Sequence, residues 1–439
     1  MLKLHFIPAA LTTVLLSAFA APTLSLAASD SKIEGLVTDI EPQMVKWRRH
    51  FHQYPELSNR EFNTAKTIAA ELKSMGLEVQ TGVAHTGVVA VLDSGKPGPV
   101  VALRADIDAL PVTETSSLPF ASKVTTEFAG QKVGVMHACG HDSHIAMLLA
   151  SAKLLVAQKD NLKGKVKFIF QPAEEGAPEG EEGGAELMVK EGVLKAPNVD
   201  VIFGLHIWSN LDVGKISYRE GGAMAAVDTF KILVKGKQAH GAYPWKSVDP
   251  VVTSAQIIIG LQTIVSRELK LIDEAAVVTV GSIHGGVRSN IIPNEVEIIG
   301  TLRSLQPEMR DQIREAVKRK ATHIAASMNA EVEVTVPFGA NYPVTYNPPE
   351  LMREMLPSLQ KHIGSENVIP AKAVTGAEDF SFYQEQVPGL FLFLGGKPLD
   401  VKEEDAPAHH TPEFVIDEAG MKTGVKALVG LTLDYMETH

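Results

Sequence analysis

Disulfide bonding within the chain is excluded at once, because 439 residues include a single cysteine, Cys139. Grouped basic residues are also missing. Lys and Arg total 41 against 52 Asp and Glu, a formal net charge of -11 spread along the chain. Nucleic-acid binding needs clustered Lys and Arg to displace counterions, so that class is excluded. The acidity reads as a solubility feature. Beyond the N-terminal segment no apolar run is long enough to span a bilayer, which argues against stable membrane insertion. Three common catalytic signatures are absent: the His-Glu-x-x-His helix, the Gly-x-Ser-x-Gly elbow and the Walker A lysine loop.

What is present begins at the N-terminus. Residues 1–28 combine Lys3, an apolar run from Phe6 to Ala21, and small residues at Ser25, Ala27 and Ala28. This is the pattern of a secretory signal peptide, so the mature protein is expected to be exported, periplasmic or secreted. The competing reading, an uncleaved anchor, is weakened by Pro8 and Pro22. Export makes the lone thiol odd. It is either a buried small hydrophobe or a thiolate metal ligand.

The rest of the chain is too long for one core and reads as two domains. Ser58-Asn59-Arg60-Glu61 has the form of a capping box opening a helix with Phe62, Ala65, Ala69 and Leu72 on one face. Apolar strands are expected at Val88–Leu92, Val100–Leu103, Val166–Phe170, Val201–Leu205 and Leu390–Leu394, separated by helices. That pattern suits an α/β domain with a mostly parallel sheet, formed by residues 29–222 and 336–439. Between them, residues 223–335 alternate in the order β-α-β-β-α-β, the ferredoxin-like α+β unit.

Ligands in an open α/β sheet sit at the carboxyl ends of strands. Asp106 and Asp108, Glu174 and Glu175, and His206 are expected there; Cys139 and His141 precede a helix, and His410 lies in a late loop beside His409. Each piece has a bland alternative: a turn for Asp-x-Asp, a solvated pair for the glutamates, a core residue for His206. Together they form a mixed O, N and S set suited to a catalytic metal site rather than a zinc finger. Of two adjacent carboxylates, one can bind metal while the other carries a proton from water to a leaving amine.

The segments Leu103-Arg104-Ala105-Asp106-Ile107-Asp108-Ala109-Leu110-Pro111, His137-Ala138-Cys139-Gly140-His141-Asp142, Gln171-Pro172-Ala173-Glu174-Glu175-Gly176 and Gly204-Leu205-His206 occur in order. Gly236-Lys237-Gln238-Ala239-His240-Gly241, Asn290-Ile291-Ile292-Pro293, Gly376-Ala377-Glu378-Asp379-Phe380 and His410-Thr411-Pro412 follow them. Together they resemble the M20 metallopeptidases, in the branch of amidohydrolases acting on N-acyl and indoleacetyl amino acids. The resemblance covers nearly the whole mature chain. It implies two divalent metal ions, Zn²⁺ or Mn²⁺, with Co²⁺ or Ni²⁺ also compatible. It implies Cys139, His141, Glu175, His206 and His410 as metal ligands, with Cys139 bridging. It implies Glu174 as general base and acid, Asp108 as support, His240 as oxyanion stabiliser and Asn290 as a substrate contact. The insert corresponds to a lid and dimerisation domain. Asp106 stands where many M20 peptidases have a ligating His, so it is not counted as a ligand, and Glu378 and Asp379 have no assigned role. The expected substrate is a small N-acyl amino acid or short peptide. The rivals are a metallocarboxypeptidase or dipeptidase and, in a different class, a non-catalytic periplasmic solute-binding protein.

Overall fold

A computed structural model describes residues 23–439 apart from Ala340, with side chains described from Ile33 onward. The expected signal peptide lies outside the described residues except for its end, which enters the first helix. Among the described residues no helix is long and apolar enough to cross a membrane.

Helices α1 (Thr23–Gln53) and α2 (Phe62–Ser74) lead into strands β1 (Glu78–Val83), β2 (Gly87–Asp93) and β3 (Val100–Asp106). Helix α3 (His141–Ala157) precedes β4 (Lys165–Gln171), β5 (Val201–Asp212) and β6 (Ile216–Tyr218). The insert contributes β7 (Ala226–Lys235), α4 (Pro250–Thr263), β8 (Ala276–His284), β9 (Glu295–Ser304), α5 (Pro307–Ser327) and β10 (Glu331–Thr335). Helix α6 (Pro349–Ile363), β11 (Val368–Pro370), β12 (Gly389–Lys397) and α7 (Gly420–Thr438) complete the chain.

The large sheet has eight strands in the order β1-β2-β4-β3-β5-β12-β6-β11. Its middle strands β4, β3, β5 and β12 run parallel, whereas β1, β2 and the β12–β6 contact are antiparallel. The sheet is therefore mixed, with the expected parallel arrangement confined to its centre and to the β6–β11 edge. The central strands are apolar on both faces because both are covered. One face packs on α1, α3 and α7 through Leu103, Phe168, Leu149 and Leu428, and the other carries Ile169, Ile202, Phe391 and Tyr383. The insert forms its own four-stranded antiparallel sheet in the order β8-β9-β7-β10, the ferredoxin-like topology. Phe230, Ile232 and Val234 alternate inward along β7 onto Ile257 and Leu261 of α4 and Ile313 and Val317 of α5.

Two local expectations are corrected. The strand containing His206 does not end at Leu205; β5 continues to Asp212 because β12 pairs with it as far as Lys397. The Ser58 to Glu61 capping box does not form. Helix α2 is capped instead by Glu56, whose carboxylate accepts the N–H groups of Asn63 at 3.2 Å and Thr64 at 2.8 Å. Ser58 and Glu61 are drawn elsewhere. Ser58 Oγ donates to Asp108 at 2.8 Å, and Glu61 accepts from Thr86 Oγ1 at 2.5 Å and from the Ala173 N–H at 3.0 Å.

Candidate metal centre

The carboxyl ends of β3 and β4, the middle of β5 and the start of α3 converge on one point. Gly140 precedes α3 with φ +90°, and a side chain there would collide with Ile207 on β5. Only glycine lets Cys139 and His141 approach that strand so closely. At or beside the expected ligands, Ala173 at φ +52° and His410 at φ +64° are also held in the left-handed region. Such strain persists where surrounding structure enforces it. At Ala173 the enforcing group is the buried Glu61 carboxylate, which turns the chain so that Glu174 and Glu175 face inward.

Cys139 Sγ lies 3.3 Å from Nε2 of His206 and 3.3 Å from Nε2 of His410. His410 Nε2 is also 3.2 Å from Glu175 Oε1. His141 Nε2 stands 3.9 Å from both Glu174 and Glu175, is buried, and has no hydrogen-bond partner. Cys139, His141 and His206 form one donor group within metal-binding reach; Cys139, Glu175 and His410 form another. The five expected ligands are thus together, with the thiol common to both groups.

Backbone carbonyls orient the two buried imidazoles. His141 Nδ1 donates to the Asp108 carbonyl at 2.9 Å, and His206 Nδ1 donates to the Ile207 carbonyl at 2.6 Å. Both hydrogen bonds place a proton on Nδ1 and turn Nε2 towards the centre. The same reasoning separates His409 from His410. His409 Nε2 accepts the Ser209 N–H at 3.1 Å, and its Nδ1 is 3.8 Å from Cys139, whereas His410 touches both Cys139 and Glu175.

The local field favours cations. Burial opposes charge on His141, yet Asp106 and Asp108 raise it to about 10. Burial, aided by Glu175 and Glu174, pushes the Cys139 thiol well up. Burial, with Glu378, Glu175 and Asp379 nearby, holds the Glu174 carboxyl well above the usual range. An orphaned imidazole nitrogen among carboxylates, with a thiol and two further histidines, fits divalent metal ions.

A buried network that sequence reasoning missed stands behind these groups. Arg104 donates to Gln171 at 2.8 Å, Asp106 at 2.6 Å, Glu378 at 2.9 Å and Asp379 at 2.9 Å. Asp106 also accepts from His144 Nδ1 at 2.5 Å, while His144 Nε2 accepts the Ile207 N–H at 2.8 Å. Both nitrogens of His144 are therefore engaged, and Asp106 serves Arg104 and His144. The available signal was a charged Arg104 directly after the apolar run Val100–Leu103, where a buried charge must be paired. His144 also lies one turn beyond His141 on α3.

Asp108 is placed beside His141, with its Oδ1 3.3 Å from Nδ1, and its Oδ2 accepts the Glu175 N–H at 3.1 Å. Two sequence-derived residues are not brought in. His240 is exposed on a short pairing with Ile291, and the Asn290 carbonyl accepts the Gly241 N–H at 2.8 Å. Both sit on the insert and neither lines the cavity of about 530 Å³ that holds Cys139, Glu174 and Glu175. That cavity is walled by Trp208, Met224 and Tyr342. The Tyr342 hydroxyl donates to the Glu174 carbonyl at 2.8 Å.

An open α/β domain with a mixed-donor centre at its strand ends, joined to a ferredoxin-like insert, defines the class of two-domain metallohydrolases. The sequence profile described as Peptidase family M20/M25/M40 matches residues 102–434. The chain belongs to that family, and with it to the hydrolases of amide bonds. The chain is 40% identical to thermostable carboxypeptidase 1 of Saccharolobus solfataricus, over 90% of this chain and 96% of that one. It is 39% identical to N-acetyl-L-cysteine deacetylase of Bacillus subtilis, over 88% of this chain and 86% of that one. The crystal structure of Bacillus subtilis YXEP, described as a dinuclear metal binding peptidase from the M20 family, matches with TM-score 0.75 and 35% identity, covering 92% of this chain and 100% of that one. Membership retires the non-catalytic solute-binding reading.

Proposed function

We propose that this chain is an exported amidohydrolase that uses two divalent metal ions to cleave N-acyl amino acids or short peptides. The observation that carries the reading is the shared thiol. Cys139 Sγ meets His206 on one side and His410 on the other, with the Glu174–Glu175 pair alongside. Cys139, His141 and His206 would hold one ion and Cys139, Glu175 and His410 the other. Bound there, the ions would polarise the scissile carbonyl and make water more acidic. The YXEP description supports dinuclear binding. The segment 1–28 supports export.

Glu174 is buried in the cavity, and among the described residues its approach to a basic side chain is the 3.9 Å one to His141. It would take a proton from the attacking water as the O–C bond forms. The same proton then passes to the leaving nitrogen as the C–N bond breaks. His240 and Asn290 would reach the reacting carbonyl from the insert of a second copy. The insert carries exposed apolar side chains that suit such a dimer, Val251, Val252 and Ile259 on α4 and Val277 and Ile283 on the edge strand β8.

The names of the relatives point to both carboxypeptidase and deacetylase activity. A panel of N-acetyl and N-benzoyl amino acids and dipeptides, assayed with the metal-reconstituted protein, separates these readings. Turnover of the N-acyl set with little dipeptide cleavage is expected. The reverse preference makes the protein a dipeptidase, and no turnover of either set removes the proposal.

A further inference from the structure

A second cavity, of about 750 Å³, adjoins the first, and Glu175 lines both. We propose that this second cavity is the acyl subsite, taking a large uncharged aliphatic or aromatic acyl group; the assignment rests on the N-acyl amidohydrolase reading. Its walls are mainly apolar, from Leu57, Leu110, Pro111, Val124 and Val135. Over them stands the hairpin formed by Thr125–Phe128 and Gln131–Gly134, whose aromatic Phe128 is 45% exposed and lines the cavity. An exposed aromatic above an apolar hollow next to a reacting centre fits a ligand that covers it.

Charge decides which end of the substrate enters. The cationic group in the lining, Arg60, is bound by Glu181 through both terminal nitrogens and by the Asn59 carbonyl. The remaining charged groups of the wall are the carboxylates Glu56, Glu127, Glu175 and Glu179. Glu56 is occupied at the start of α2. Such a wall repels a substrate carboxylate and offers it no cation that is not already paired, so the amino-acid half of the substrate is directed away and the acyl half is admitted. The volume far exceeds what an acetyl group fills, so selectivity for long or aromatic acyl groups follows.

The test compares kcat/KM for N-acetyl, N-benzoyl and N-decanoyl forms of one amino acid, using the full metal-loaded protein. Two variants are made: Phe128→Ser on the exposed hairpin and Ala177→Phe in the half-buried wall. The wild type should favour decanoyl over acetyl. Each variant should lower the decanoyl-to-acetyl ratio by about tenfold, with metal content held as the control for folding. N-acyl turnover with a ratio that neither variant moves overturns the subsite alone. Absence of turnover with every N-acyl form overturns the underlying functional reading as well.

Discussion

At the scale of single residues, the decisive group is Cys139. A buried thiol with two imidazole nitrogens at 3.3 Å is poorly placed as a mere filler of apolar space. Cys139→Ser should keep the fold and lose metal, read as metal content per chain after dialysis; full occupancy would remove the shared ligand from the account. Oxidation of the thiol should inactivate in parallel. Glu174→Gln is the complementary change. It should retain metal while kcat falls by a factor on the order of 10³ or more, and unchanged turnover would exclude Glu174 as the proton carrier. The donors were legible in the sequence because their chemistry is local to short motifs. The roles of Arg104, Asp106 and His144 were not, since their partners lie on separate strands and on α3, and single-residue patterns carry no pairing information. His240 and Asn290 were readable as motifs, yet one chain holds them away from the cavity.

Among elements, α2 shows how a correct helix can be read for the wrong reason. Its apolar face was visible in Ala65, Ala69 and Leu72, which are buried, but Phe62, read onto the same face, is 62% exposed. Its cap was misread because Ser58 and Glu61 match the capping pattern while the centre claims both side chains. Two variants separate these uses. Glu56→Ala should cost about 1 kcal/mol, measured as a lower urea midpoint, by freeing the N–H groups of Asn63 and Thr64. Ser58→Ala should leave the helix start intact and weaken metal affinity instead, through Asp108. Equal losses of stability with unchanged affinity would restore the capping reading. The insert was the more legible element, since alternation in β7 and the helical periods of α4 and α5 each reflect one covered face. The end of β5 was not, because pairing with β12 lengthens it and the partner lies far along the chain.

For the whole molecule, contacts between its last helices contribute to stability in acid. Asp434 on α7 accepts from Lys361 Nζ at 2.9 Å and His362 Nε2 at 3.0 Å on α6. Burial alone would raise its carboxyl, but the hydrogen bonds from His362 and Lys361 bring it down to about 2. The folded value is below the unfolded one near 3.9, so this stabilisation is present above about pH 4 and lost as pH falls towards 2. It is worth about 1–2 kcal/mol. Asp434→Asn should flatten that stretch of the stability curve, measured by urea midpoints between pH 5 and 2.5; identical slopes would show the pair contributes nothing. The proposed dimer is tested at the same scale. Ile259→Asp on the exposed face of α4 should yield monomers by sedimentation, with activity falling alongside, whereas active monomers would rule out a second copy's His240. The strand order carries one more consequence. Strand β12 sits between β5 and β6, and His410 lies still later, whereas the other four expected ligands precede the insert. During synthesis the ribosome therefore delivers Cys139, His141, Glu175 and His206 long before the strand and the histidine that complete their surroundings. Both donor groups can be complete only once nearly all of the chain has been made, so a chain truncated before His410 would lack the second group however well its first half folds.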